Sequence, residues 1–141
     1  MKSSGFKLGK RSLDNLINVH PDLVAVVKLA LDVSKVDFAV TSGFRTHAAQ
    51  EELVRLGKSK TLNSRHLTGH AVDLAAYVNG TISWDWYYYD MIAEAMKAAA
   101  ESLNISIEWG GDWTTFRDGP HFQLPWKDYP VTKDATAGEQ A

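Results

Sequence analysis

Apolar side chains recur at positions 23, 26, 27, 30 and 31, the three-and-four spacing that puts Leu23, Val26, Val27, Ala30 and Leu31 on one face of a helix. Pro21 suits the first turn of that helix, where a missing N–H leaves no bond unmade. A longer helical pattern runs from Trp84 to Asn104, with Ile92, Met96, Ala99 and Leu103 as the stripe that would cover one face of a sheet. Between these segments the period changes. Asp37–Ser42 predicts a short strand, and Thr46 is placed to cap a helix through Ala48, Leu53 and Leu56 that stops at Gly57. Residues 58–69 are polar and basic and predict a loop. Small and β-branched residues from His70 to Val78 predict a strand, closed by the turn pair Asn79-Gly80 before Ile82. In that strand Asp73 shares a face with Ala71 and Ala75, small neighbours that leave room beside its carboxylate, while Val72 and Leu74 point to a core. Ile105–Trp109 and His121–Leu124 predict two more strands, paired antiparallel across the loop 110–120.

The fold class predicted is therefore α+β: a small, mostly antiparallel sheet with helices packed against it. Residues 1–126 form a single domain, and 127–141, where apolar periodicity is lost, form a flexible tail. A length of 141 residues with 45% hydrophobic content is enough for one core. The chain has no cysteine, which excludes a disulfide framework and thiolate zinc sites; any metal must be held by nitrogen and oxygen. Fifteen basic and seventeen acidic residues give a net charge of -2 without a block of either sign, which argues against nucleic-acid binding. Lys2, Lys7, Lys10 and Arg11 are not followed by an apolar run, so no secretory signal is expected, and nothing approaches the roughly 20 apolar residues of a membrane span. A monomer that does not insert into membranes is the expectation.

The chemistry concentrates in two segments. Ser64-Arg65-His66-Leu67-Thr68-Gly69-His70-Ala71-Val72-Asp73 sets a histidine and a carboxylate seven residues apart across a glycine, and Asp118-Gly119-Pro120-His121 adds a second imidazole. His66, Asp73 and His121 make a three-ligand zinc site with an open fourth position, and Asp118 is left as a general base. His66 and His70 have the i, i+4 spacing of a helical zinc motif, but Gly69 and the β-rich residues after it argue against a helix there. His70 is read as structural or as support for a ligand, and His20 and His47 as solvated groups or local caps. Glu108 and Asp112 are reserve candidates for the base. Trp109, Trp113 and Phe116 are placed either to wall a cleft or to pack. Ser64 is placed to bind substrate or to hold the His66 loop.

Ser64, His66, Gly69, Ala71 and Asp73 fill every fixed position of the S-x-H-x-x-G-x-A-x-D pattern of zinc peptidases related to D-alanyl-D-alanine carboxypeptidases. Asp118-x-x-His121 resembles their second motif, and Ser42-Gly43-Phe44-Arg45 resembles their upstream S-G-[FY]-R segment. The small size, Asp in place of Glu before the last histidine, and Trp109-Gly110-Gly111-Asp112-Trp113 make the chain most similar to the bacteriophage L-alanyl-D-glutamate peptidase endolysins, over roughly Phe6 to Leu124. The resemblance implies a hedgehog/DD-peptidase-like zinc peptidase fold, Zn2+ held by His66, Asp73 and His121, and Asp118 as the catalytic base. It implies Arg45 beside the scissile carbonyl or a substrate carboxylate; Ser64 and Trp113 are the candidate substrate-binding residues. It further implies a bacterial peptidoglycan stem peptide as partner and the L-alanyl-D-glutamate bond as target. The enzyme would be held in the host cytoplasm before release onto the cell wall. The alternatives are a D-alanyl-D-alanine carboxypeptidase or dipeptidase with the same machinery, and an inactive zinc-containing wall-binding module.

Overall fold

The computed structural model describes residues 3–59 and 64–130, so part of the expected 58–69 loop (60–63) and most of the expected tail (131–141) lie outside the described residues. In chain order the elements are α1 (Lys10–Asn15), α2 (Pro21–Val33), β1 (Phe38–Ser42), α3 (His47–Arg55), a 3-10 turn (Arg65–Thr68), β2 (Ala71–Val78), β3 (Thr81–Ser83), α4 (Trp86–Leu103), β4 (Glu108–Trp109), a second 3-10 turn (Gly110–Asp112) and β5 (His121–Gln123). The strands form one antiparallel sheet in the order β1-β2-β5-β4, and β3 pairs with the end of β2 away from β5.

The helical stripe of α2 is buried as its spacing predicts, and α4 packs against both α2 and β2. Val72, Leu74 and Ala76 of β2 join that core together with Phe38, Val40 and Phe122. Asp85 starts α4 by accepting from Tyr87 N, and Asn104 ends it in a left-handed conformation at φ 58°. The helix therefore begins two residues after Trp84, and Leu103, expected in its buried stripe, is exposed at its end. Ile105 N closes back on Ala100 O, so the strand expected from Ile105 is reduced to Glu108–Trp109. Asn79 and Gly80 both take positive φ, the geometry of the tight hairpin turn their sequence predicts.

Two further features depart from the sequence expectation. First, α1 was not anticipated; it covers the exposed edge of β1, where Ser12 Oγ accepts from Val40 N and Asn15 Nδ2 donates to Val40 O. Second, α3 buries Gln50 rather than an apolar stripe, and Leu56 faces solvent. Beyond Trp126, the half-buried Tyr129 is joined to the domain by hydrogen bonds. Tyr129 OH donates to Asp22 Oδ2 at 2.6 Å, and its carbonyl accepts from Arg65 Nη2 at 2.6 Å. Arg65, almost fully buried, also donates to Leu124 O and lies 4.1 Å over the Trp126 ring. One guanidinium thus ties the 3-10 turn carrying His66 to the chain that leaves β5. Among the described residues, no helix is long and apolar enough to cross a membrane.

Candidate metal centre and active site

Strand register builds most of the site. Ser42 of β1 stands opposite Asp73 of β2, which stands opposite His121 of β5, so the three lie in one row across the sheet. His66 comes from the 3-10 turn just before β2. Ser64 Oγ caps that turn by accepting from His66 N, and Gly69 ends it in the left-handed region at φ 76°. A side chain at Gly69 would lie 2.3 Å from Asn18 O, so both its conformation and its packing require glycine. Arg45 N donates to His66 O at 2.9 Å, which joins the S-G-F-R segment to the same turn.

His66 Nε2 lies 3.4 Å and His121 Nδ1 3.3 Å from the same oxygen, Asp73 Oδ1. The three ligand atoms fall within 4.8 Å of one another, a spacing able to hold one metal ion. Both rings are held from behind. His66 Nδ1 donates to Gly43 O at 2.8 Å and His121 Nε2 to Gln123 Oε1 at 2.7 Å, so in the neutral form of each ring the nitrogen facing Asp73 is the one that carries the lone pair. Asp73 Oδ1 is buried and makes no hydrogen bond. A buried carboxylate oxygen without a donor is expensive unless a cation takes that place, so this donor set fits a metal.

The electrostatics follow from the same arrangement. Burial works to raise the Asp73 pKa, but the two imidazoles outweigh it and hold the carboxyl well below its usual range. For His121 burial favours the neutral ring, yet the Asp73 carboxylate, Gln123 and Asp118 raise its pKa on balance. Asp73 Oδ2 faces away from the rings and toward Arg45 Nη2 at 3.7 Å. Burial lowers the Arg45 pKa, against the opposing charges of Asp73 and Asp118. Asp118 sits in reach of all these charges: burial first, then repulsion from Asp73, raise its pKa, while His121, His66 and Arg45 pull it down. Its position depends on two close approaches. Asp118 N donates to Gly110 O, where a Cβ on Gly110 would overlap Asp118 O at 2.4 Å, and the Tyr89 ring occupies the space over Gly119.

The expected ligands His66, Asp73 and His121 are thus brought together with Asp118 and Arg45. His70 stands apart, its Nδ1 2.6 Å from Thr68 Oγ1 and its ring 5.3 Å from that of His20; burial, with Arg65 and His20 nearby, pushes its pKa down to about 4. His20 caps α2 by accepting from Asp22 N, and His47 faces Glu51. Of the reserve bases, Asp112 is engaged by Lys97 at 2.8 Å and Glu108 lies on β4 opposite Gln123. Trp109 packs rather than walling a cleft: it is buried, stacks on Phe122 and donates to Gly119 O. The half-buried Trp113 ring lies 5.2 Å from His121, and Phe116 is exposed. Sequence reasoning missed Gln123, Gln50 and Tyr89, and the role of the Gly43 carbonyl behind His66. Tyr89 is buried beside the site, and burial together with the Asp118 and Asp73 charges pushes its pKa up to about 12.

The chain as a whole is similar to known proteins. Residues 4–124 match the family described as phage L-alanyl-D-glutamate peptidase. The chain is 36% identical over 117 residues to the L-alanyl-D-glutamate peptidase of Escherichia phage T5, covering 80% of this chain and 85% of that protein. It is 33% identical over 122 residues to the L-alanyl-D-glutamate peptidase of Listeria phage A118, spanning 84% of this chain but only 42% of that longer protein. The peptidoglycan L-alanyl-D-glutamate endopeptidase CwlK of Bacillus subtilis is 31% identical over 126 residues, 75% of each chain. The crystal structure of the Serratia marcescens L-Ala D-Glu endopeptidase ChiX superposes with a TM-score of 0.83 at 53% identity, covering 90% of this chain and 96% of that one. With its sequence matched over nearly the whole described domain, this chain belongs to the phage L-alanyl-D-glutamate peptidase family.

Proposed function

We propose that this protein is a zinc-dependent peptidoglycan endopeptidase that hydrolyses the bond between L-alanine and D-glutamate in the stem peptide, and so acts in lysis of the bacterial wall. The observation that carries the reading is the convergence of His66 Nε2, His121 Nδ1 and the unsatisfied Asp73 Oδ1 beside Asp118 and Arg45. Two imidazoles and one carboxylate with a further position open are a catalytic zinc donor set, whereas a structural site is closed by four protein ligands. Relatives named for the L-alanyl-D-glutamate bond favour that bond over D-alanyl-D-alanine. The extra base and arginine favour catalysis over an inactive binding module.

His66, Asp73 and His121 would hold the zinc, which when bound would supply Lewis acidity to the scissile carbonyl and lower the pKa of water. Asp118, with its raised pKa, takes the proton of the attacking water and delivers it to the departing amine nitrogen as the C–N bond breaks. The products are a new L-alanine carboxylate and a new D-glutamate amino terminus. Arg45 remains charged and offers its planar fork to the developing oxyanion or to a peptide carboxylate. The Trp113 ring beside His121 gives the stem peptide an apolar surface, and the Ser64 hydroxyl hydrogen remains available to a substrate carbonyl while its oxygen caps the turn. The enzyme acts as a monomer, made in the host cytoplasm and released onto the wall by a separate route. Mass spectrometry of peptidoglycan digested with and without a chelator tests the reading. New amino-terminal D-glutamate that disappears with chelator and returns with zinc is expected; released D-alanine would overturn the bond assignment.

A further inference from the structure

Gln50 is the only residue of α3 that is fully buried, and it is polar. A primary amide placed there costs free energy unless both ends are bonded. Both are. Its Oε1 accepts from Arg45 Nη1 at 2.7 Å, and its Nε2 donates to Ser59 Oγ at 2.8 Å. The other terminal nitrogen of the same guanidinium, Arg45 Nη2, donates to Ser42 Oγ at 2.8 Å and lies 3.7 Å from Asp73 Oδ2. Two neutral acceptors on two different elements, α3 and β1, therefore fix the plane and rotation of Arg45 at the edge of the metal centre.

Neutrality of the holder has a chemical consequence. A carboxylate in the place of Gln50 would neutralise the guanidinium that the reaction needs as a cation, whereas an amide oxygen orients it and leaves its charge for the substrate. An apolar residue would leave Arg45 to collapse onto Asp73 Oδ2, the one strong acceptor already near, and so draw the guanidinium toward a metal ligand. The Thr46 cap strengthens the arrangement: Thr46 Oγ1 accepts from Ala49 N and Gln50 N donates to Thr46 O, so the first turn of α3 is fixed directly after Arg45 in the chain.

We propose that Gln50 is a positioning residue for catalysis, holding the Arg45 guanidinium with Ser42 in the orientation that meets the substrate. This rests on the proposed role of Arg45, and the test separates the two. Gln50→Met keeps length and volume but removes the hydrogen bonds to Arg45 and Ser59. Its kcat and KM on a purified muropeptide are measured alongside those of Arg45→Lys, Arg45→Ala and the Gln50→Met/Arg45→Ala double variant, with zinc content and thermal unfolding on each. Gln50→Met should keep zinc and fold, and lose roughly tenfold in kcat/KM, with the loss on the same parameter, kcat or KM, as that of Arg45→Lys. In the Arg45→Ala background the same substitution should change the rate less than twofold, because its target is gone. A tenfold loss in both backgrounds would overturn the positioning role while leaving that of Arg45 intact. Wild-type turnover of Arg45→Ala would overturn the role of Arg45 and the inference with it. Should Gln50→Met not fold, Ser42→Ala, which removes the other neutral acceptor, enters the same cycle with the same two outcomes.

Discussion

Replacing Gln123 by methionine isolates the contribution of the group behind one ligand. Gln123 is buried and its Oε1 accepts the Nε2 proton of His121 at 2.7 Å, which leaves Nδ1 with its lone pair toward Asp73. Methionine keeps the length and volume but offers no comparable acceptor, so two outcomes compete in the metal-free protein. The buried N–H is stranded at a cost of about 1–3 kcal/mol, or the ring shifts its proton to Nδ1 and donates to Asp73 Oδ1, 3.3 Å away. The second outcome occupies both atoms the metal needs. Either way the ion must reverse an unfavourable proton arrangement before it binds. Loss of a partner of this kind lowers metal affinity about 10- to 100-fold, which corresponds to about 1.4–2.7 kcal/mol. Competition for zinc against a chromophoric chelator near neutral pH reads this directly. Gln123→Glu should move the other way, since a carboxylate behind the ring raises the basicity of the ligand nitrogen. If Gln123→Met binds zinc as tightly as the parent protein, the ring is not oriented by this contact and the reasoning fails.

Asp118→Asn should retain zinc and fold while turnover falls by about 10²–10⁴, the range for loss of a general base; parent-like cleavage of muropeptides would remove Asp118 from that role. His66→Ala should abolish stoichiometric zinc, measured by metal analysis of dialysed protein. Gly43→Ala would place a Cβ 1.8 Å from Asn15 O and displace the carbonyl that holds His66, so about 3 kcal/mol of stability and zinc affinity should be lost together in denaturation and titration. His70, with its pKa lowered to about 4 in the folded protein, binds its proton more readily when unfolded. Its contribution is therefore complete above about pH 6.5 and lost as pH falls toward 4; because the ring is only half-buried, solvent screening limits the effect to about 1 kcal/mol. Denaturant melts at pH 7 and pH 5 should show this difference, and His70→Gln should diminish it.

The candidate metal ligands were legible because a catalytic ion constrains residue type. Only a few side chains donate to zinc, and each must sit where a strand or a short turn can aim it, so histidine and aspartate at fixed spacing carry the signal even when read singly. The β2 alternation placed Asp73 opposite the core-facing Val72 and Leu74, and the antiparallel pairing with β5 then brought His121 alongside. The layer behind those ligands carries no such constraint. The acceptor for His66 is a main-chain carbonyl, which any residue type supplies; at position 43 the side chain is informative only through the space it leaves for Asn15 O. The acceptor for His121 is Gln123, two residues along the same strand and hence on the same face, a position that period-two reasoning could have singled out.

Where tertiary contacts overrode the local pattern, the sequence reading went astray for the same physical reason. Leu53 and Leu56 suggested an apolar face for α3, but the helix turns a glutamine inward because Arg45 and Ser59 satisfy it there. Six residues of α1 have no amphipathic stripe to read; Ser12 and Asn15 make the helix useful by closing the β1 edge, a partner that exists only after folding. Tyr129, beyond the loss of apolar periodicity at Trp126, makes hydrogen bonds to Asp22 and Arg65 that periodicity cannot encode. Polar groups that hold other polar groups in place are chosen by geometry rather than by type. The residues that orient the candidate ligands and Arg45 are therefore the ones a pattern-based reading passes over.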